Sequence, residues 1–538
     1  MKDLKTFIRR AILKAQKDKK LPDFDIPEII IETPQNREFG DYSTNIAMQI
    51  AKLINVNPHK IAGILVDYLR KDFIVEPLPP GFINFRIEKE ELLKNLKEII
   101  EKGPKYGSKR DKRTVIIDYS APNIAKPFGI GHLRSTIIGQ ALYNIYSFLG
   151  WKCIGDSHIG DWGTQFGKLI VAIKKWGKDN LTIEDLEKLY VRFHNESTPE
   201  LEDEARKWFK KLEEGDSEAK RVWKSCVDIS KKEFNRVYNL LNVKIDYTLG
   251  ESFYEDKMQV VINDAKNISK KSQGALIVEL DNIPLMLIKS DGTTTYETRD
   301  LATCKYRLDK WNPDLVIYEV GADQRLHFRK VFKVAEMLGY KGKAQYKHVA
   351  HGLIRWKDRK FSTRKGDTIK LKDVLDEAIN KAKEINKETA EIIGIGAVKY
   401  NDLSRQPEKD IVFDLDRMIS LNGNSGPYIQ YTAVRCKSIL KKNNTHRIRK
   451  IDLNEEEEML LRDLSRFPEM VQSAADRFSP NVICNYIYEL CRNFNSFYEK
   501  HSVLTGDKIG FRIAITKAVE QIIINSLTLL GIEVPEKM

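Results

Sequence analysis

The sequence predicts an α/β multidomain protein whose central domain is a Rossmann-type parallel sheet. Between Thr114 and about Ala390, short β-branched runs alternate with stretches of helical periodicity, a pattern typical of doubly wound sheets. Helix and strand patterns are mixed before this region. After about Asp402 the strand signals disappear, and apolar stripes at helical spacing replace them. With 538 residues, the chain is long enough for three or four domains.

These changes of pattern predict three domains. We expect an N-terminal α+β domain over residues 1–108 and the α/β domain over residues 109–401. The α/β domain carries a helical insertion at about 168–263, where the pattern turns helical and highly charged. An all-α domain is expected over residues 402–538.

Local periodicity predicts the elements in chain order. Apolar residues on one face of an N-terminal helix come first: Leu4, Phe7, Ile8, Ile12 and Leu13. Four buried strands are expected in the α/β domain, the first followed directly by a helix: RTVIIDYS, WKCIG, DLVIYEVG and HVAHGLI. Helical stretches dominate the last domain: YIQYTAVRCKSILKK, EEEEMLLRDLSRFPEMVQSAADR, NVICNYIYELCRNFNSFYEKH and FRIAITKAVEQIIINSLTLLGI.

Composition narrows the class of protein. A hydrophobic fraction of 42% with 31% charged residues excludes wholesale disorder, and no apolar run is long enough to span a membrane. The net charge of +13 favours a polyanionic partner, nucleic acid before an acidic membrane surface, although solubility alone is an alternative explanation. Six cysteines without a C-x-x-C pair, and an N-terminus without a secretory pattern, predict a cytoplasmic protein.

Two loops carry the candidate chemistry. The first predicted strand ends in Ser-Ala-Pro-Asn-Ile-Ala-Lys-Pro-Phe-Gly-Ile-Gly-His, where Gly129 and Gly131 permit close backbone approach and His132 falls on the first helical turn. An ordinary loop with a capping histidine is an equally good interpretation of that stretch. Four cations surround Ser362 and Thr363 in the second loop, residues 359–367, as expected for polyphosphate binding or for a solvated surface.

Together these strings resemble the arginyl-tRNA synthetases of class I along almost the whole chain. The first loop is similar to the family's His-x-Gly-His motif and the second to its Lys-Met-Ser-Lys-Ser loop. Further similar strings occur in the family's order: residues 158–167, 296–302, 321–328 and 423–431, with Gly40-Asp41-Tyr42 and Pro80 to Asn84 in the N-terminal domain. Two departures stand out, Gly129 in place of the first histidine and Lys-Phe-Ser-Thr-Arg in the second loop.

The resemblance implies ligation of L-arginine to tRNA(Arg) through an arginyl-adenylate, with ATP as a substrate accompanied by Mg²⁺. It implies no prosthetic group and no separate metal site. By resemblance, the catalytic residues are Lys126, His132, Lys360 and Arg364, and the ATP-binding residues are Gly129, Gly131, His132, Lys360 and Ser362. The backbone N–H of Gly129 is expected to face a phosphate in place of the missing side chain.

An arginine pocket needs a carboxylate for bidentate pairing and a flat or polar wall. Tyr296 and Asp300 are spaced i, i+4 and share a helix face, although such a pair is more often a surface hydrogen bond. The resemblance assigns both to the guanidinium, with Gln324 nearby and Asn123 on the α-amino group.

The N- and C-terminal domains are expected to bind tRNA. Phe82 and Asn84 match positions that the family uses against the D-loop. Tyr431 ends a string that resembles the start of the family's helical anticodon-binding domain, and Arg435 begins a basic run that is either a phosphate track or an ordinary solvated surface. The protein is expected to act as a monomer away from membranes. The alternative function is a catalytically impaired paralogue that retains tRNA binding, because Gly129 replaces the first histidine.

Overall fold

The structure is a computed structural model that describes residues 4–34, 36–281, 283–356, 370–448 and 452–538. The chain divides into two compact units. One comprises the described parts of Met1–Gly103, Ile439–Phe467 and Arg492–Gln521, and the other comprises those of Pro104–Ser438, Pro468–Cys491 and Ile522–Met538. Within the ranges described above, no helix is both long and apolar enough to cross a lipid bilayer.

The N-terminal part of the first unit packs helices on a three-stranded antiparallel sheet of order β1-β3-β2. Ile8 and Ile12 are buried as predicted, whereas Leu13 is 52% exposed and does not belong to the buried helix face. The elements are α1 (Leu4–Lys17), β1 (Tyr42–Thr44), α2 (Ile46–Ile54), α3 (Pro58–Leu69), β2 (Ile74–Leu78), β3 (Phe82–Arg86) and α4 (Lys89–Lys102).

The second unit is built from alternating strands and helices. Its elements before the helical domain are β4 (Thr114–Asp118), α5 (Gly131–Phe148), β5 (Lys152–Asp156), α6 (Gln165–Trp176), α7 (Ile183–Asn195), α8 (Pro199–Glu213), α9 (Ser217–Leu240), α10 (Met258–Asp264), β6 (Ser269–Ser272), β7 (Ala275–Val278), β8 (Leu285–Ile288), α11 (Tyr296–Trp311), β9 (Leu315–Gly321), α12 (Arg325–Met337), β10 (Gln345–His351), β11 (Ile354–Trp356), α13 (Leu371–Ala382), α14 (Ala390–Leu403), β12 (Ile411–Phe413) and α15 (Leu415–Met418).

The C-terminal part of the chain is helical, as predicted. Its helices are α16 (Gly426–Lys442), α17 (Glu455–Ser465), α18 (Phe467–Asp476), α19 (Asn481–Lys500) and α20 (Ile509–Leu529). The stretch predicted as one helix from Glu455 is two helices. The break at Arg466 is explained by Pro468, which fits only in the first turn of a helix.

The central sheet has the order β10-β9-β4-β5, and all its strands are parallel, which confirms the predicted fold class. The chain passes from β4 to β5 on one side and then to β9 on the other side of β4. The strand order therefore reverses at β4, which places the expected ligand crevice at the carboxyl ends of β4 and β9. The helical insertion expected after β5 is present as α6 to α10.

Two small sheets were not predicted. Strands β6, β7 and β8 form an antiparallel sheet, and β12 pairs in parallel with β11. The expectation that strands end before Asp402 is therefore wrong. Strand β12 has only three residues and β6 reads Ser-Lys-Lys-Ser, so neither carries an alternation of apolar and polar residues long enough to recognise.

A salt bridge ties the N-terminal sheet to α17 within the first unit. Arg462 contacts the carboxylate of Asp41, whose Oδ2 also accepts a hydrogen bond from Ile87 N–H at 2.7 Å. The preceding Gly40 has φ +98°, and a Cβ there would lie 2.6 Å from the carbonyl oxygen of Phe85. The Gly40-Asp41-Tyr42 string therefore has a structural role in this unit.

A buried ion triad joins α11 to the central sheet. Arg307 donates to Asp118 at the end of β4 and to Asp156 at the end of β5, each at 2.7 Å. All three side chains are buried. Burial and the neighbouring charge of Asp118 raise the pKa of Asp156, while Arg307 opposes that rise. The triad consequently fixes α11 above the strand ends.

We predict that Arg307→Met markedly lowers the stability of the second unit. Removing the cation leaves two buried carboxylates without compensation, which typically costs about 3–5 kcal/mol. Thermal unfolding followed by calorimetry measures the effect. Lys310→Met, an exposed position on the same helix, serves as the control, and an unchanged transition in Arg307→Met would contradict the assigned role.

Candidate active site

The loop between β4 and α5 is held in a strained backbone conformation. Ser120 and Ala125 have φ of +57° and +62°, values that non-glycine residues rarely adopt. Ser120 N–H donates to Ser135 Oγ at 3.0 Å, and Ala125 N–H donates to Ser230 Oγ at 2.9 Å. Such strain persists only where surrounding contacts enforce it, and it is concentrated at functional sites.

His132 stands at the start of α5 as a neutral hydrogen-bond donor. Burial lowers its pKa to about 4, and the positive charge of Lys126 acts in the same direction. Its Nδ1 accepts a hydrogen bond from Gly129 N–H at 3.3 Å. A neutral imidazole that accepts at Nδ1 carries its hydrogen at Nε2. His132 can therefore donate from Nε2 to a phosphate oxygen at neutral pH.

The backbone N–H of Gly129 was expected to face a phosphate, and the structure shows a different partner. In the structure this N–H donates to the His132 ring, so it orients that side chain instead of facing an open anion site. Gly129 is buried and lies opposite Lys370 in an antiparallel bridge. Gly131, the first residue of α5, is exposed and has nothing within 4 Å of the position of a Cβ.

A cleft of about 220 Å³ brings three of the predicted residues together. Asn123, Lys126 and Tyr296 line it, with Gln165 and Tyr190. Tyr296 is 67% exposed, so its ring is available to a ligand. The Lys126 Nζ lies 5.6 Å from the centre of the Tyr190 ring. The cleft thus offers a cation, two aromatic faces and two amides.

Gly160 leaves room for the side chain of Asn123. The two segments pair through their backbones, with Ile124 N–H donating to Gly160 O at 3.2 Å. A Cβ at Gly160 would lie 2.1 Å from Asn123 Oδ1. Asn123 can therefore hold its present position only beside glycine.

Asp300 and Gln324 lie on two different elements of the second unit, α11 and the short helix that follows β9. Thr295 caps α11 by accepting from Thr298 N–H, which starts the helix at Tyr296 and puts Asp300 on its second turn. Gln324 is exposed in the short 3₁₀ helix after β9. Asp300 Oδ2 lies 2.5 Å from Nε2 of His327, so the carboxylate already has one partner.

The second loop, residues 359–367, lies entirely outside the described residues. Lys360, Ser362 and Arg364 lie outside the described residues, so their predicted roles stay predictions. The segment that follows contacts the first signature directly, because Leu371 N–H donates to Phe128 O at 3.0 Å. Lys370 also pairs with Glu187 of α7 at 2.9 Å. The segment that follows the second loop therefore lies against the first loop.

The predicted tRNA contacts differ in exposure. Phe82 is half-buried, whereas Asn84 is 3% exposed and accepts a hydrogen bond from Ser43 Oγ at 2.6 Å. Tyr431 and Arg435 are half-buried on α16, with the guanidinium carbon 4.9 Å from the ring centre. Phe82 is consequently more available to a nucleotide base than Asn84 is.

Gly160 and His327 were not predicted as site residues, although the structure gives each a contact with a predicted one. Both lie inside strings that resembled the family, residues 158–167 and 321–328, but their contacts join segments distant in sequence. Among the described residues, no group of three or more His, Cys, Asp or Glu side chains is arranged to hold a metal ion.

Three family models match successive parts of the chain. "Arginyl tRNA synthetase N terminal domain" matches residues 2–87. "tRNA synthetases class I (R), catalytic domain" matches residues 95–415, and "DALR anticodon binding domain" matches residues 429–538. The parallel sheet with its two signatures is therefore that of a class I aminoacyl-tRNA synthetase.

Individual relatives extend this similarity over the whole chain. An arginine–tRNA ligase of Clostridium perfringens is 41% identical, covering 98% of this chain and 99% of the relative. One of Clostridioides difficile is 40% identical and covers 100% of both. The solved arginyl-tRNA synthetase of Plasmodium falciparum matches with a TM-score of 0.84 and 26% identity, covering 99% and 98%. The chain belongs to the arginyl-tRNA synthetase family.

We predict that Gly160→Ala raises the KM for arginine about tenfold or more, the scale of one displaced hydrogen bond to a charged group. The new methyl group would displace the amide of Asn123 while leaving the fold intact, because only the end of a flexible side chain must move. Steady-state arginylation kinetics measure the change. Gly63→Ala is the control, because a Cβ at Gly63 would meet no atom within 4 Å. An unchanged arginine KM in Gly160→Ala would show that Asn123 does not contribute to arginine binding.

We further predict that Gly129→His is no faster than the wild type at saturating substrates. His132 is already oriented as a donor, and an imidazole at buried position 129 must displace its neighbours. If the glycine were merely a lost phosphate donor, restoring histidine would raise kcat by roughly 10²-fold. Single-turnover arginylation by both proteins distinguishes these outcomes.

Proposed function

We propose that this chain ligates L-arginine to tRNA(Arg) in two steps at the carboxyl edge of its parallel sheet. The arginine carboxylate first attacks the α-phosphate of ATP, which forms arginyl-adenylate and releases pyrophosphate. A terminal ribose hydroxyl of the tRNA then attacks the adenylate carbonyl, and AMP leaves. The observation that carries the proposal is the backbone contact of Leu371 with Phe128, which joins the segment after the second loop to the first loop, whose residues Asn123 and Lys126 line the cleft with Tyr296.

The phosphate end of the site is assigned to the loop before α5. His132 would donate from Nε2, Lys126 would add positive charge, and the exposed backbone at Gly131 would permit close approach of ATP. Fixed donors aimed at developing charge typically contribute ~10²–10³ each in rate. Lys360, Ser362 and Arg364 are proposed to close over the triphosphate from the second loop.

The amino-acid end is assigned to Asn123, Tyr296, Asp300 and Gln324. Asn123 would bind the α-amino group, and Asp300 would pair with the guanidinium beside the exposed Tyr296 ring. For tRNA, Phe82, Asn84, Tyr431 and Arg435 remain the proposed contacts, with Phe82 and the Tyr431–Arg435 pair the more accessible ones.

ATP would bring Mg²⁺ with it. A magnesium ion that serves nucleotide chemistry usually keeps several waters and binds mainly through the phosphates, so the proposal requires no protein cage. We place the enzyme in the cytosol as a monomer. The relatives named arginine–tRNA ligase support the enzyme, and no comparison supports the alternative of an impaired paralogue.

We predict that Asp300→Asn raises the arginine KM and lowers kcat/KM by at least ~10-fold, the usual scale for a lost charged hydrogen bond. The amide keeps the shape of the side chain but loses the charge that pairs with the guanidinium. Arginylation of purified tRNA with labelled arginine is the measurement.

Asp309→Asn is a matched control, because Asp309 lies on the same helix but is exposed and paired with Lys305. Its arginine kinetics should equal those of the wild type. Unchanged kinetics in Asp300→Asn would remove Asp300 from the pocket.

A further inference from the structure

His327 is the hydrogen-bond partner that the structure gives to Asp300. Asp300 extends from α11, and His327 lies on the first turn of α12, three residues after Gln324. Their Oδ2 and Nε2 atoms are 2.5 Å apart, and the side chains are 18% and 23% exposed. The pair is therefore shielded in part from water yet open to a ligand.

The charges around His327 come from both helices. Asp300 and Glu297 face it from α11, and Lys330 faces it from its own helix. Lys330 is bound to Glu297 at 2.9 Å, so these two charges largely cancel. The carboxylate of Asp300 is left as the dominant charge acting on the imidazole.

The pKa of His327 is raised above its ordinary value. Burial alone would lower the pKa, but the hydrogen bond and charge of Asp300 outweigh burial, while the smaller effects of Glu297 and Lys330 oppose each other. The imidazole therefore keeps its proton to a higher pH than an ordinary histidine does, and while it is protonated the Asp300–His327 pair carries no net charge.

We infer that His327 is a positioning residue that controls how much of the Asp300 charge is available to the substrate's guanidinium. It holds one carboxylate oxygen in place, and a carboxylate has lone pairs enough to bind an imidazole and a guanidinium together. The inference rests on the proposed function, because it takes Asp300 as the partner of the guanidinium.

The sign of the pH dependence follows from charge repulsion. A guanidinium bound to Asp300 lies close to a protonated His327, so arginine binding favours the neutral imidazole and releases a proton. Arginine affinity therefore rises as the pH increases through the pKa of His327 and becomes constant above it. The guanidinium itself does not titrate in this range.

The first experiment is calorimetric titration of the full chain with L-arginine from about pH 6 to about pH 8.5, with and without saturating tRNA(Arg). For the wild type, we expect the Kd to fall about tenfold across this range, the effect of one nearby charge reduced by solvent screening. His327→Gln retains an N–H for Asp300 but cannot gain a proton, so its Kd should be nearly independent of pH. If the Kd of His327→Gln for arginine depends on pH as strongly as that of the wild type, the inference is overturned.

His348→Gln provides the matched control. His348 is also half-buried and packs against Phe328, with its Nε2 3.1 Å from Val320 O. In the described structure it makes no hydrogen bond to a carboxylate. The same imidazole-to-amide change there should leave the wild-type pH dependence intact. Loss of the slope in this control as well would overturn the assignment to His327.

A second measurement uses only the wild type and does not depend on the folding of a variant. Near pH 7, the enthalpy of arginine binding is measured in two buffers that differ in ionisation enthalpy. We expect a difference that corresponds to release of a fraction of a proton, and identical enthalpies would overturn the inference.

Failure of the proposed function gives a different result. If Asp300→Asn binds arginine as the wild type does, Asp300 is not the guanidinium partner. If the wild type binds no arginine with or without tRNA, the proposed function itself fails. If Asp300→Asn loses arginine binding while the Kd of His327→Gln keeps the wild-type pH dependence, Asp300 remains the guanidinium partner and only the role of His327 is refuted.

Discussion

The neutralisation of Arg307 by Asp118 and Asp156 is the constraint on which the geometry of the site depends. A guanidinium is buried only where carboxylates reach it with good geometry, and here they come from the ends of two adjacent parallel strands. The helix that carries Arg307 is thereby fixed to the catalytic edge of the sheet. Asp300 lies seven residues earlier, two turns away on the same side of α11, and so is held near that edge too.

Two histidines of the second unit show how their surroundings shift the pKa of the same side chain in opposite directions. Burial lowers the pKa of both, but His132 also faces Lys126, and its pKa falls to about 4. His327 faces Asp300 and Glu297, which reverse the effect of burial. The loop before α5 therefore has a neutral donor beside a lysine, and α11 has a carboxylate bound to an imidazole. Under the proposed assignment, this difference matches the charges of the ATP phosphates and of the arginine side chain.

The sequence predicted those parts of the fold whose signals are local. Strands β4 and β9 are mostly buried runs of apolar residues, and the helix α5 has clear periodicity, so each was recognised. The strand β12 was not, because three residues carry no period. The motif strings pointed to Asp300 and Asn123. They did not point to His327 and Gly160, which position those side chains, because the contacts join segments that are distant in sequence. The burial of Asn84 against Ser43 likewise depends on strand pairing that the sequence does not display.

Gly129 illustrates why a motif departure need not disable a site. The backbone around it forms two hydrogen bonds that shape the loop. Leu371 N–H donates to Phe128 O, and Gly129 N–H donates to Nδ1 of His132. Because that N–H fixes the tautomer, the donor at Nε2 of His132 is preserved without a second histidine. Main-chain contacts do not depend on the identity of a side chain. The orientation of the remaining histidine thus follows from the loop's backbone, and the chain can lack the first histidine while keeping His132 oriented as a hydrogen-bond donor.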